Sequence, residues 1–248
     1  MGMDDKEYYE MGIQAAEIGN YSEAVELFTK AIEIEPKNAI YYYERAKMHE
    51  KLENYPLACF NYSKATELNP NYAEAYYGAG NAHVIISLQK GRENTLAANI
   101  YRNNFALSNF LKAIELKPNY AEAYCSLGSV YSISGEHIEA ILNFIKAIEI
   151  NPGYAEAYFN RGMAYYNIFQ YAAAAADFTK AIEINPNNAN SYCYRGLAYY
   201  MSRNKDKARE DWEKAISLGS KKAKEFIDRH WKFQKLFKKL WTKKHKQK

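Results

Sequence analysis

The seven residues Lys30–Pro36 read KAIEIEP, and this phrase returns four more times along the 248-residue chain with small changes. The copies read KATELNP, KAIELKP, KAIEINP and KAIEINP, and they end at Pro70, Pro118, Pro152 and Pro186. Three of the four steps between successive prolines are 34 residues long, and one is 48 residues long. A phrase that recurs at a fixed step of about 20 to 50 residues indicates a repeat architecture. The sequence therefore predicts a stack of similar units.

Three columns of residues keep the 34-residue step and define six repeats. A small residue recurs at Gly12, Ala46, Gly80, Gly128, Gly162 and Gly196. An alanine follows in the second half of each repeat, at Ala24, Ala58, Ala106, Ala140, Ala174 and Ala208. A ring stands four residues later, at Phe28, Tyr62, Phe110, Phe144, Phe178 and Trp212. The repeats are predicted at 5–38, 39–72, 73–120, 121–154, 155–188 and 189–222, and the third contains a 14-residue insertion.

The spacing within each repeat predicts two amphipathic helices. In the fifth repeat Tyr158, Gly162 and Tyr165 lie at i, i+4 and i+7 and share one helix face. Ala174 and Phe178 share a face of a second helix in the same way. The small residues let the two backbones approach closely, the rings fill the remaining volume, and Pro186 ends the second helix. One such pair cannot bury both its faces, so we expect neighbouring pairs to stack.

The order of these columns resembles the tetratricopeptide repeat over about residues 5–222. The resemblance implies an all-α fold, a right-handed superhelical α-solenoid of antiparallel helix pairs with about 13 helices. It implies that a basic amphipathic helix at 223–248 covers the last repeat. It also implies a non-catalytic scaffold or adaptor that binds a peptide or a partner protein along a concave channel formed by the first helices.

The channel is expected to be lined by a second stripe on each first helix, one residue on from the core stripe. The candidate binding residues are Tyr43, Lys47, Tyr77, Asn81, Phe159, Asn160, Met163, Tyr166, Leu197, Tyr200 and Met201. The lining of the channel is expected to change from charged residues to aromatic residues along the chain. Two alternatives stay open: the large side chains fill the channel by packing on each other, or Phe237–Trp241 folds back into it.

Some members of the family bind acidic chaperone C-termini with a clamp of Lys, Asn and Arg residues. Asn160 stands at one of these positions, but Cys125 and Ser129 before it and Asn190 and Tyr194 after it replace the basic residues. We therefore do not expect this chain to bind that class of ligand.

The insertion in the third repeat amounts to about four helical turns. Both helices of the repeat can continue outward past Ile86 and back through Ala97–Tyr101, with a turn at Lys90–Asn94 around Gly91 and a cap at Asn94 or Thr95. It is either a tolerated surface insertion, since lengthening a loop costs little, or a hairpin that binds a partner or a second copy.

Charge is distributed unevenly along the chain. Residues 221–248 contain 12 Lys/Arg against Glu225 and Asp228, a net charge of +10, whereas residues 1–220 carry −6. Phe226, Phe233 and Phe237 form an apolar stripe in this segment. The lysines of its opposite face are Lys232, Lys235, Lys239 and Lys243.

The segment is either a long cap with a solubilising end, or it tethers the protein to an anionic membrane or to nucleic acid. A third hypothesis is that the chain is a repeat protein that assembles with copies of itself.

No pattern in the sequence indicates catalysis, a cofactor, a metal ion or a small-molecule substrate. The five histidines are scattered, and His49 and His83 stand in helix-packing columns, where a structural role is expected. The glycines of Gly78–Gly80 lie inside a predicted helix and not after a strand, which excludes a nucleotide-binding loop. We expect a monomer or weak homo-oligomer. We also expect a cytoplasmic protein, or a periplasmic or anchored one if a signal was removed.

Overall fold

The computed structural model describes residues 2–89 and 96–229. This part of the chain forms thirteen α-helices joined by short turns, and no strand occurs in it. The helices are α1 Asp5–Glu17, α2 Tyr21–Ile34, α3 Ala39–Lys51, α4 Tyr55–Leu68, α5 Ala73–Gln89, α6 Leu96–Leu116, α7 Ala121–Ile133, α8 His137–Ile150, α9 Ala155–Asn167, α10 Tyr171–Ile184, α11 Ala189–Met201, α12 Lys205–Ser217 and α13 Lys221–Ile227. The predicted all-α fold of antiparallel helix pairs is confirmed.

The helices fall into two compact bodies. The N-terminal body comprises the described residues up to 130, and the C-terminal body comprises residues 131–229. Within each body, consecutive helices pack on each other, as α1 does on α2 and α9 does on α10. The basic residues Lys232, Lys235, Lys239 and Lys243 lie outside the described residues, as do Phe237–Trp241 and the predicted turn at Lys90–Asn94.

Side chains at the helix starts satisfy backbone donors that a helix leaves unpaired. Asp4 and Glu7 form a capping box at α1, in which Asp4 Oδ1 accepts from the Glu7 N–H at 2.8 Å. Asn38, Asn54 and Ser220 cap α3, α4 and α13 with single hydrogen bonds from backbone N–H groups. The local sequence thus determines where each of these helices begins.

The turn after a first helix requires one residue with positive φ. Gly19 and Gly135 fill this place without strain. Glu53, Phe169 and Arg203 fill it in other repeats with φ between 55° and 64°. In each of these five turns, the backbone N–H of the residue after the positive-φ residue donates to a carbonyl in the last turn of the first helix. The Gln170 N–H, for example, donates to the Tyr165 carbonyl at 2.9 Å. The turn is therefore kept even where glycine is absent.

Large rings packed on glycines form the core of four of the helix pairs. A Cβ atom added at Gly80 would lie 2.5 Å from the ring of Phe110, and one added at Gly162 would lie 2.9 Å from Phe178. A Cβ atom added at Gly78 would likewise lie 2.4 Å from the Tyr62 ring. The Gly78–Gly80 segment thus lies within α5 and packs against rings on both neighbouring helices, as a helical interpretation of that segment requires.

The helices on either side of the insertion are longer than the others. Helix α5 has 17 residues and α6 has 21, whereas the other first and second helices between α1 and α12 have 13 or 14. The residues on either side of the predicted turn are therefore helical, as the length of the insertion suggested.

A buried polar pair recurs between the two helices of some repeats. In the C-terminal body, Arg161 forms a bidentate ion pair with Asp177. Arg195 forms a bidentate ion pair with Asp211, with N–O distances of 2.7 and 2.8 Å. In the N-terminal body Arg45 faces a neutral amide instead, and its Nε donates to Asn61 Oδ1 at 2.8 Å. Burial lowers the pKa of Arg45, whereas the hydrogen bonds to Asp177 and Asp211 raise the pKa of Arg161 and Arg195.

We expect Asn61→Asp to stabilise the protein by about 1 kcal/mol, because a carboxylate would pair with the half-buried Arg45 guanidinium. The converse change, Asp211→Asn, should destabilise it by about 2 kcal/mol. Denaturant unfolding measures both. Asn109→Asp is the matched control, since Ala79 stands at the arginine position of that repeat. Equal shifts for Asn61→Asp and Asn109→Asp would contradict the pairing argument.

Candidate functional site

Half-buried aromatic and sulfur side chains line one face of the first helices in the C-terminal body. The Phe159 ring of α9 packs on Phe178 at 5.5 Å and edge-on against Tyr194 of α11 at 5.6 Å. Met163 and Tyr166 join the same cluster. These side chains pack partly on each other, yet each keeps part of its surface exposed.

The same face continues along α11 with three further candidates. Leu197 and Tyr200 pack against the cluster around Trp212, with the Tyr200 ring 5.7 Å from the indole. Met201 is 42% exposed. Asn160, on α9, is half-buried. The C-terminal body thus brings seven of the candidate residues onto two adjacent first helices.

In the N-terminal body, the corresponding face is built of tyrosines. Tyr43 of α3 packs on Tyr72 with ring centroids 4.7 Å apart, and Tyr77 of α5 packs on Tyr120 at 4.8 Å. Asn81, one turn further along α5, accepts a hydrogen bond from the Ser126 hydroxyl at 3.2 Å. Tyr9 of α1 adds another ring beside Tyr41, 5.3 Å away.

Tyr72 and Tyr120 belong to this face as much as the predicted Tyr43 and Tyr77 do, but they were not among the candidate residues. Both stand two residues after a repeat proline, immediately before a first helix, and Tyr154 stands at the same place. This further periodic column was the signal that could have found them. The aromatic character expected mainly at the C-terminal end therefore extends through the N-terminal body.

Two lysines of this tyrosine face each contact a carboxylate and a tyrosine ring. Lys47 Nζ lies 2.8 Å from Glu44 Oε2 and 5.4 Å from the Tyr43 ring. Lys117 Nζ lies 2.8 Å from Glu74 Oε1 and 4.5 Å from the Tyr120 ring. An ammonium beside both a carboxylate and the face of a ring gains from both contacts.

The hydroxyls on this face are hard to ionise. Burial, followed by the charges of Glu44, Glu74 and Glu50, raises the pKa of Tyr43 to about 12. Burial also raises the pKa of Tyr72 and Tyr120, and carboxylates add to the effect at both. In the C-terminal body, the pKa of Tyr166 is raised by burial and by two tyrosines. Carboxylates thus act on the tyrosine hydroxyls of the N-terminal face, whereas burial and neighbouring tyrosines act on Tyr166.

His49, His83 and Cys59 have structural surroundings. Burial lowers the pKa of His49 and His83, and His83 stacks on Phe105 at 5.5 Å. Burial raises the pKa of the Cys59 thiol to about 12. Across residues 2–89 and 96–229, no three His, Cys, Asp or Glu side chains lie close enough to hold a metal ion. None of the described helices is both long and apolar enough to span a membrane.

Models of the tetratricopeptide repeat match most of the chain. The matches fall at 16–53, 39–72, 109–141, 130–168, 155–188 and 178–210, which together cover more than half of the 248 residues. The chain belongs to the tetratricopeptide repeat family. A comparison with the curated proteins found no match.

Solved structures of tetratricopeptide repeat proteins share the fold. The crystal structure of MamA is 28% identical, covers 77% of this chain and 96% of MamA, and gives a TM-score of 0.64. YrrB, described as a tetratricopeptide repeat protein with an unusual peptide-binding site, is 28% identical, with 82% and 99% of the two chains covered and a TM-score of 0.63. PilF of Pseudomonas aeruginosa is 20% identical over 91% of this chain and 97% of its own, with a TM-score of 0.73. Family and structure together make this chain a member of a class of protein-interaction scaffolds.

We expect the stability of the protein to fall as the pH rises above about 10, the usual tyrosine pKa. Unfolded tyrosines ionise there, while Tyr41 and Tyr43 stay neutral in the folded state until a pH of about 12. The unfolded state therefore loses protons first, and the free energy of unfolding decreases between these two values.

Denaturant unfolding at a series of pH values measures this loss, and ultraviolet titration of phenolate absorbance follows the ionisation itself. Tyr43→Phe is the control, because it removes one late-titrating hydroxyl and should make the decrease shallower. A wild type and a Tyr43→Phe variant with identical slopes would contradict the assignment.

Proposed function

We propose that this chain is a non-catalytic scaffold that binds an extended peptide segment of a partner protein along the exposed face of its first helices. The observation that carries the proposal is the row of aromatic side chains that stay half-exposed beside a complete core. The rings of the core column, such as Phe178 and Trp212, are fully buried, whereas Phe159 and Tyr200 on the first helices are not.

A scaffold of this kind needs side chains that bind without large ordering costs. Tyrosine and phenylalanine have few rotatable bonds, and their packing on neighbours, such as Phe159 on Tyr194, limits them further. A bound segment would then cover rings that are already in place. The peptide-binding site described for YrrB, whose fold and 28% identity place it near this chain, supports the same use of the fold.

The chemistry of the described residues favours binding over catalysis. The thiol of Cys59 is held protonated by burial, and Cys125 and Cys193 are buried. The half-buried carboxylate Glu50 accepts a hydrogen bond from the Tyr62 hydroxyl at 2.8 Å, which gives it a structural partner. These groups lack the activated nucleophile and paired base that hydrolytic chemistry requires.

The proposal is tested by selecting peptides from a displayed random library on the wild-type chain and measuring their affinity by fluorescence polarisation. We expect Phe159→Ala/Tyr166→Ala/Tyr200→Ala to weaken binding at least tenfold, about 1.4 kcal/mol or more, because rings of this kind dominate binding faces.

The matched control is Phe60→Ala/Ile138→Ala/Leu142→Ala, which removes three exposed apolar side chains from the second helices α4 and α8. It should bind the selected peptides like the wild type. Thermal unfolding of both triple variants shows whether either has lost its fold. Equal losses in the two folded variants would refute the proposed face.

A further inference from the structure

The tyrosine face of the N-terminal body provides carboxylates and rings together. Glu44 and Glu74 each hold a lysine of the same face, and each of these lysines lies over a tyrosine ring. The body therefore shows, with its own Lys47 and Lys117, the arrangement in which this face accepts an ammonium group. A third inner carboxylate, Glu50, makes no ion pair within the described residues.

The charge on this body exceeds what its lysines and arginines neutralise. Residues 1–130 contain 17 Asp/Glu and 12 Lys/Arg, a net charge of −5. The carboxylates of Glu44, Glu50 and Glu74 all act on the Tyr43 hydroxyl, and Glu74 and Glu122 act on that of Tyr120. The tyrosine face thus places carboxylates beside stacked rings, which suits a cationic ligand with aromatic groups.

The chain contains such a ligand outside its described residues. Residues 230–248 read HWKFQKLFKKLWTKKHKQK, with eight lysines, two tryptophans, two phenylalanines and no acidic residue. Nineteen residues reach at most roughly 65 Å when extended. Neighbouring helices pack about 8–10 Å apart, so this length is enough to cross several first helices. Lysines would meet the carboxylates, and the tail's rings would stack on the tyrosines.

We propose that residues 230–248 of one copy bind the tyrosine face of the N-terminal body of a second copy, with Tyr43, Tyr72, Tyr77 and Tyr120 as the stacking surface and Glu44 and Glu74 as the charged partners. This inference rests on the proposed function, because it names the occupant of one of the two binding faces. The contact joins two different surfaces, so a dimer keeps one free face on one copy and one free tail on the other. Association is therefore head-to-tail and grows with concentration.

The first experiment is sedimentation velocity of the full chain across protein and salt concentrations. We expect association that increases with protein concentration and weakens as salt is added, because the contacts are largely between exposed charges. Two variants should each stay monomeric: a tail variant, Lys232→Gln/Lys235→Gln/Lys239→Gln/Lys243→Gln, and a face variant, Glu44→Gln/Glu74→Gln/Tyr43→Ala. Mixing the two variants should restore a one-to-one complex, since one supplies the intact face and the other the intact tail.

The second experiment measures a labelled synthetic peptide of residues 230–248 against full chains that carry the tail variant. Adding Glu44→Gln/Glu74→Gln should weaken the peptide at least tenfold. Glu26→Gln/Glu33→Gln removes the same charge from α2 of the same body and should leave the affinity unchanged. These conservative changes keep the rings in place, so a loss of binding does not depend on a loss of folding.

Three outcomes overturn the proposal: a wild type that is monomeric at every concentration, a peptide that binds both carboxylate variants equally, or a tail that binds anionic lipid vesicles or RNA but not the chain. The third would favour a surface tether. None of these outcomes depends on the peptides whose binding is tested with the Phe159, Tyr166 and Tyr200 variant. Failure of this inference is therefore distinguishable from failure of the proposed scaffold function.

Discussion

The packing of one large ring against a backbone position without a side chain is the constraint on which the rest of this structure depends. Phe28 on Gly12, Phe110 on Gly80, Phe178 on Gly162 and Trp212 on Gly196 are the same contact in four repeats. The ring is fully buried in each case. Because the contact leaves no room for a methyl group, the two helices of these four pairs can lie this close only with glycine at the contact.

Polar groups between the helices vary where the rings do not. The half-buried guanidinium groups of Arg161 and Arg195 each pair with a carboxylate through two hydrogen bonds, whereas that of Arg45 donates to an amide and to the Thr29 hydroxyl. The Trp212 indole N–H donates to the Cys193 carbonyl at 2.9 Å, which satisfies the largest ring of the core. Four of the repeats thus share one apolar contact, and the repeats differ in how their polar groups are satisfied, so local stability should differ between them as well.

This separation of roles also explains how the fold can bind a partner. The second helices direct their rings into the core, and the first helices present a second set of rings beside it. Substitutions on the first-helix face can therefore change the chemistry of binding while the ring-on-glycine contact stays intact. The two bodies illustrate this, since one presents tyrosines with carboxylates and the other presents Phe159, Met163 and Tyr166.

The sequence by itself determined the helix pairs, because the 34-residue period, the small columns and the prolines report purely local requirements: helix periodicity, close approach and helix termination. It also identified Tyr43, Tyr77 and Phe159, since a stripe beside the core stripe follows from helical geometry alone. Only the tertiary structure showed that Tyr72 and Tyr120, which precede first helices, stack on those rings, and that Glu74 and Lys117, 43 residues apart, form an ion pair. Such contacts depend on how one repeat is placed against the next, and no spacing along a single helix encodes that placement.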